Sequence, residues 1–220
     1  MEKVNKTRIA MWIFAVAPLI LVTLMYDRLP GQIPTTWGLN GEVSYGSKTT
    51  LWWLSGMSPV LALLFMSLPK IDPRKKNYNK FRGLYDGFAL FMMIFMLGLV
   101  SLIVSESLRP GRLSVEFVII VACGLLFVIL GNMLPKVKSN FFIGIKTPWT
   151  LSDTEVWNKT HRLAGYLFFF GGLLTIAIAF FLREYALFIT FMVITAVIAI
   201  IPIVMSYVWF KQLDKERGTE

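Results

Sequence analysis

Six long apolar runs dominate this chain: approximately Ile9–Tyr26, Leu51–Leu68, Leu84–Ser105, Val115–Leu134, Leu163–Leu182 and Tyr185–Phe210. A helix needs about 20 such residues to cross the hydrocarbon core of a bilayer. Lipid offers no partner to an open strand edge, and membrane barrels show short alternating segments rather than continuous runs. The runs therefore predict transmembrane helices. Composition agrees: hydrophobic residues are 56% and charged residues 16% of 220, too few charges to coat a soluble globule of this length. With 16 Gly, 10 Pro and one Cys, collagen, disorder and a disulfide scaffold are also excluded. The expected fold is an all-α membrane protein, a bundle of six transmembrane helices.

The basic residues orient it. Lys3, Lys6 and Arg8 precede the first run, and Lys70, Arg74, Lys75, Lys76, Lys80 and Arg82 lie between the second and third. Lys136, Lys138, Lys146, Lys159 and Arg162 lie between the fourth and fifth, and Lys211, Lys215 and Arg217 follow the sixth. The opposite side carries Arg28, Lys48, Arg109, Arg112 and Arg183 out of the 22 Lys and Arg. This asymmetry predicts both termini in the cytoplasm, N-in/C-in. The net charge of +9 then follows from topology and attraction to anionic headgroups, without direct binding of nucleic acid.

The first run exceeds a signal-peptide apolar core and lacks a small-residue cleavage site, so it is expected to be a retained helix. Cys123 inside the fourth run has no disulfide or zinc partner. Asp86 and Glu116 sit near span ends, and no charge falls mid-span, which weakens an ion-coupled pump but leaves room for a carrier of a neutral or apolar solute.

Two connections are longer than antiparallel helices need. The first, residues 27–50, is expected outside and is rich in Pro and Gly, with Pro30, Pro34, Trp37, Gly41 and Lys48 as candidate ligand residues. Trp37 suits either a headgroup anchor or a ligand surface, and the loop has the make-up of a lid. The second, residues 135–162, is expected in the cytoplasm. Phe141, Phe142, Ile143 and Ile145 would be costly to leave in water, so this stretch should dip into the membrane interface or pack under the bundle. Gly144 suits a tight bend, and Thr147 before Pro148 is biased to extended backbone. Ser152 and Glu155 have capping-box spacing, which predicts a helix starting near Asp153 and running through Trp157 and His161 into the fifth span. Glu155 and Lys159 form a favourable i,i+4 pair. His161 is the single histidine, so no metal site or triad is formed around it. It suits a hydrogen-bonded structural residue, or else a partner-contact or pH-sensing residue, and Arg162 beside it suits lipid phosphate or buried loop carbonyls.

The segment "GNMLPKVKSNFFIGIKTPWTLSDTEVWNKTHRLAG", Gly131–Gly165, closely resembles the signature of the SdpI family of bacterial membrane proteins. The matching pattern runs Gly-Asn, Leu-Pro, then Asn-x-x-x-Gly-Ile-Lys-Thr-Pro-Trp-Thr-Leu, then Trp-x-x-Thr-His-Arg and Gly. The loop "LPGQIPTTWGLNGEVSYGSK" resembles a domain of unknown function found in longer members, where His often precedes the Trp; here that position is Thr36. The resemblance implies two regions: a two-helix N-terminal region over residues 1–80 with the external loop, and an SdpI-like four-helix region over residues 81–220 with the signature loop. It also implies a multi-pass protein of the bacterial cell membrane that confers immunity to a secreted peptide toxin. A receptor role would follow, with an ArsR-type autorepressor held at the membrane. By pattern, Asn132, Pro135, Asn140, Gly144, Lys146, Thr147, Pro148, Trp149, Thr150, Trp157, His161 and the adjoining Arg162 would shape the face that meets this partner. Membrane lipids would be further partners; no enzyme activity, cofactor or metal is implied. A small transporter or flippase for a hydrophobic solute stands as the alternative.

Overall fold

The computed structural model describes residues 6–38 and 42–218. In chain order the elements are α1 (Lys6–Met25), β1 (Gln32–Trp37), β2 (Val43–Ser47), α2 (Thr50–Ile71), α3 (Arg82–Leu108), α4 (Val115–Met133), α5 (Pro148–Ser152), α6 (Thr154–Ala179) and α7 (Glu184–Glu216). Six of these helices, all but the five-residue α5, are long and apolar enough to cross a membrane. Helices α6 and α7 overrun the apolar runs most, because residues 154–162 and 211–216 continue them as polar helix.

The chain is mostly helical but not all-α. The first connection holds an antiparallel hairpin, paired from Gln32↔Ser47 to Trp37↔Val43, with an irregularity between Pro34 and Thr36. β-Branched and aromatic residues at 33, 35–37, 43 and 45 favour extended backbone. Pro34 lacks a donor, which a two-stranded ribbon tolerates because each strand is an edge. The Thr35 hydroxyl donates to the Ser44 carbonyl at 3.2 Å across the irregularity.

The chain divides into two compact units. The first comprises residues 1–68 and 83–118. Val22, Leu29, Ile33, Leu51, Val100 and Val104 form a buried cluster, so the hairpin is seated through Ile33 where α1 and α3 end and α2 begins. The Lys48 ammonium fixes the hairpin's far side: it donates to the Tyr26 carbonyl at 3.0 Å and lies 4.3 Å from the Tyr26 ring centre. A second cluster, Met11, Ala15, Ala62, Ala89 and Met93, uses small residues to bring three helices close. The buried Asp86 carboxylate has Arg8 at 3.6 Å, as a charge in a low-dielectric setting requires. After α3 the chain reverses at Gly111 (φ +76°), and the buried Glu106 carboxylate accepts from the Gly111 and Leu113 amides, each at 2.9 Å.

The second unit comprises residues 69–82 and 119–220. Its centre is a seam between α4 and α6 made by glycines seven apart on each helix: Gly124 and Gly131 against Gly165 and Gly172. A β-carbon at Gly172 would lie 2.6 Å from the Gly124 carbonyl oxygen, and one at Gly124 would lie 2.7 Å from Ile176 Cγ1. At Gly131 it would overlap the Phe169 backbone, and at Gly165 the Pro135 ring. With no hydrophobic force between helices in lipid, such backbone approach supplies the packing that holds them together. Gly171 turns toward α7, where a β-carbon would meet Ile198 Cγ2 at 2.8 Å. Large apolar side chains stand on the surface of each unit, including Leu24 at 67% exposure in the first and Phe170 at 62% in the second, a surface that suits lipid.

Candidate functional site

The signature loop is a folded element with its own hydrogen-bonded core. Its hub is Asn140, fully buried. The Asn140 Oδ1 accepts from the amides of Phe142 (2.9 Å) and Ile143 (2.7 Å), while Nδ2 donates to the carbonyls of Lys138 (2.9 Å) and Ile143 (3.0 Å). One side chain thus satisfies a turn whose apolar residues keep water away from its backbone.

A second segment, absent from the sequence-based site, props the loop from below. The buried Asp72 carboxylate accepts from its neighbour's amide, Arg74 N, at 2.6 Å and from Phe141 N at 2.9 Å. The Tyr78 hydroxyl lies 3.1 Å from Asp72 Oδ2 and 3.3 Å from Asn140 Oδ1, so its single proton serves one of two acceptors at a time. Arg74 donates to the Ser139 hydroxyl and, at 2.9 Å, to the Leu151 carbonyl, and its guanidinium lies 4.8 Å from the Phe141 ring centre. Asn77 donates to the Ser139 carbonyl at 2.8 Å. Residues 72–78 were legible only as basic topology signals; a lone Asp among cations, followed by Asn and Tyr, was the available hint.

The loop bends at Gly144, whose φ of +105° L side chains rarely adopt. His161 lies directly beneath. Its Nε2 accepts from the Ile145 amide at 3.0 Å, and Nδ1 is 2.8 Å from the Trp157 carbonyl. An acceptor Nε2 must carry a lone pair and the carbonyl needs a donor, so the ring is the neutral Nδ1–H tautomer. It stacks on Trp157 with centres 4.0 Å apart and planes 17° apart. Trp157 in turn donates from Nε1 to the Val137 carbonyl at 2.9 Å. The pair expected to share a helix face is a stacked floor under the loop. The Nε2 lone pair is already engaged, and among the described residues no three His, Cys, Asp or Glu gather as a metal group.

The Ser152–Glu155 capping box is corrected by the structure. The reciprocal box is formed one turn earlier, by Thr147 and Thr150 at the start of α5: Thr150 N donates to Thr147 Oγ1 at 3.1 Å and Thr147 N to Thr150 Oγ1 at 2.9 Å. Pro148 at the first helical position needs no amide acceptor, and Thr147 is extended as expected. Ser152 ends α5 and donates to the Trp149 carbonyl instead. The cap of α6 is Asp153, whose Oδ1 accepts from the amides of Glu155 (2.7 Å) and Val156 (3.0 Å). Asp153 has its other oxygen on Arg217 at 2.5 Å. Partial burial pushes the Asp153 carboxyl up, but the Arg217 hydrogen bond and the two amides outweigh it and hold it below the usual carboxylate value. Arg217 also reaches Glu155 at 3.3 Å, and Lys159 pairs with Glu155 at 2.9 Å. A bond between the Thr147 and Ser206 hydroxyls (3.0 Å) and a contact between the Trp149 and Tyr207 rings (5.0 Å) tie α5 to α7.

Of the pattern residues, Asn140, Thr147, Thr150, Trp157 and His161 are buried and build the loop. Asn132, Pro135, Lys146, Pro148 and Arg162 are exposed, with Gly144 and Trp149 between these extremes. Arg162 does not cap the loop's carbonyls; that work falls to Asn140, Arg74 and Trp157. In the hairpin, Pro30 is exposed, Trp37 half-buried, and Pro34 and Lys48 serve the hairpin's own packing. Gly41 lies outside the described residues.

Comparison with known proteins agrees with both loops. Residues 136–206 match the SdpI/YfhL protein family model, and residues 13–58 match a domain of unknown function, DUF1648. The chain is 25% identical over 195 residues, 88% of its length and 91% of the relative's, to the protein named Immunity protein SdpI of Bacillus subtilis (strain 168). No solved structure matches. The chain is therefore a multi-pass protein of the cell membrane that is similar to the SdpI/YfhL family over residues 136–206 and to DUF1648 over residues 13–58.

Proposed function

We propose that this protein confers immunity to a secreted antimicrobial peptide and spans the membrane with both termini inside. The observation that carries the reading is similarity to an immunity protein over nearly the whole chain, including the hairpin and the signature loop. The charge asymmetry of the connections supports the orientation. In this arrangement the hairpin faces the toxin, presenting Pro30, Thr36, Trp37 and Tyr45. The signature loop faces the cytoplasm, where its exposed rim, including Phe141, Lys146 and Pro148, offers a surface for an autorepressor. A rigid loop suits that task, because docking on a pre-ordered surface avoids the entropy of folding it.

Deletion and overexpression strains, challenged with secreted peptide toxins, test immunity: deletion should sensitise cells and overexpression protect them. Unchanged sensitivity across the toxin panel refutes the reading. Orientation is tested separately with single cysteines, T36C and K146C, in a chain where Cys123 is replaced by Ser. An impermeant thiol reagent should label T36C in intact cells and K146C only after permeabilisation. Pull-down from cells with W149A then asks whether a cytoplasmic partner depends on the loop.

A further inference from the structure

The second unit holds a cleft of about 410 Å³ beside the signature loop, and neither the loop's own packing nor the immunity reading uses it. Three cations line it: Arg74 and Lys80 from the connection after α2, and Lys138 from the signature loop. Thr154 and Asn158, one turn apart on α6, add a hydroxyl and an amide. Among the described residues, no carboxylate lines the cleft.

The nearby acids are already engaged. Asp72 is enclosed by the backbone amides of Arg74 and Phe141 and the Tyr78 hydroxyl. Asp153 is held by Arg217, and Glu155 by Lys159 and Arg217. Among the described residues, Lys80 and Lys138 have no ion-pair partner. Two lysines without an ion-pair partner among the described residues therefore line one concavity together with neutral polar residues, and Arg74 is locked in place by Ser139 and Leu151. Like charges gathered this way repel unless an anion joins them.

We propose that this cleft binds a phosphate ester. Several donors converging from three segments match the three or more oxygens of a phosphate group better than the two of a carboxylate. The cleft also has room for a glycerol-sized substituent. Its walls come from the chain just after one span and the first turns of another, which places it at headgroup depth whichever leaflet it faces. Two sources share this chemistry: the headgroup of an anionic phospholipid, and a soluble phosphate.

The test uses the full-length protein in phosphatidylcholine nanodiscs doped with phosphatidylglycerol, with native mass spectrometry counting retained lipid. Inorganic phosphate and glycerol 3-phosphate are titrated in a parallel arm. Each lysine near an anionic group contributes about a fivefold change in affinity, so K80Q/K138Q should weaken binding by about 30-fold. K75Q/K76Q alters two exposed lysines of the same connection that do not line the cleft, and should leave binding within about twofold. Both lysines of the first pair are exposed, so that variant should melt like the parent. Cleft-dependent retention of phosphatidylglycerol assigns a lipid site; cleft-dependent binding of the soluble phosphates assigns a soluble one. Equal losses in the two double variants, or no binding of either probe class by the parent, overturn the proposal. None of these outcomes depends on the toxin phenotype.

Discussion

Gly144 and His161 make the sharpest test of the loop's construction. Replacing Gly144 by Ala imposes two costs. The φ of +105° costs a non-glycine residue about 1–3 kcal/mol. The new methyl also falls on His161 Nε2, the atom that accepts from Ile145. Moving the ring away forfeits that hydrogen bond, about 1 kcal/mol, and disturbs the Trp157 stack, about another 1 kcal/mol. The total for G144A is about 3–5 kcal/mol. H161A loses both ring hydrogen bonds and the stack and leaves a cavity, again about 3–5 kcal/mol. The two share the displaced ring. In the double variant the methyl occupies space the imidazole has vacated, and only the backbone strain is added. G144A/H161A should therefore cost about 4–8 kcal/mol rather than the sum, a coupling of about 2 kcal/mol in the protective direction. Unfolding in mild detergent, followed by tryptophan fluorescence, gives all four corners, and hydrogen exchange at the Ile145 amide should accelerate whenever His161 is absent. Strict additivity, or a G144A protein as stable as the parent, would refute the claim that the loop rests on the imidazole.

Three further outcomes follow from the same geometry. N140A strands two partly buried amides and two carbonyls and should lower stability by about 3–4 kcal/mol in the same unfolding assay; N140D keeps the acceptor but turns the donor side repulsive, and should recover less than half of that. D153A should cost about 1 kcal/mol at neutral pH through loss of the α6 cap. Because the folded Asp153 carboxyl lies below its unfolded value, its contribution is present above the usual carboxylate range and disappears as pH falls through the lowered value; melting curves against pH should be flatter there for D153A than for the parent. Thr160 is fully buried and its hydroxyl has no partner among the described residues, so T160V should leave the melting temperature unchanged or raise it; a loss above about 1 kcal/mol would mean the hydroxyl is satisfied.

Long apolar runs announce themselves residue by residue, which is why the six spans were legible from sequence. The same holds for features set by one or two neighbours: the bend at Gly144, the extended Thr147, the i,i+4 pair of Glu155 and Lys159 and the shared face of Trp157 and His161. The capping box was misplaced because two overlapping patterns compete within six residues. Ser152 and Glu155 have the better-known spacing, but Pro148 starts a separate turn at Thr147, and the chain re-enters helix only after an extended Asp153. The hairpin went unforeseen because Pro and Gly masked a short alternation. Asn40-Gly41 between Trp37 and Val43 was the turn signal available in the sequence.

The part of the site that stayed hidden is non-local, and that has a consequence for how the signature is understood. Asp72 reaches Phe141, Arg74 reaches Ser139 and Leu151, and Asn77 reaches Ser139 across more than 60 residues of chain. Nothing in the local spacing of residues 69–82 encodes those bonds. Conversely, the pattern residues easiest to spot as a motif, such as Asn140, Thr150, Trp157 and His161, are the ones with least surface to offer. A buried residue with several hydrogen bonds tolerates few substitutes, because each alternative leaves an orphan group. An exposed contact residue can change with its partner. It follows that the motif specifies the loop's shape, while the proposed cytoplasmic partner would read the exposed rim, including Phe141, Lys146 and Pro148. Swapping only those exposed residues between two family members should transfer partner preference without loss of fold, whereas swapping the buried set should change stability and leave preference where it was.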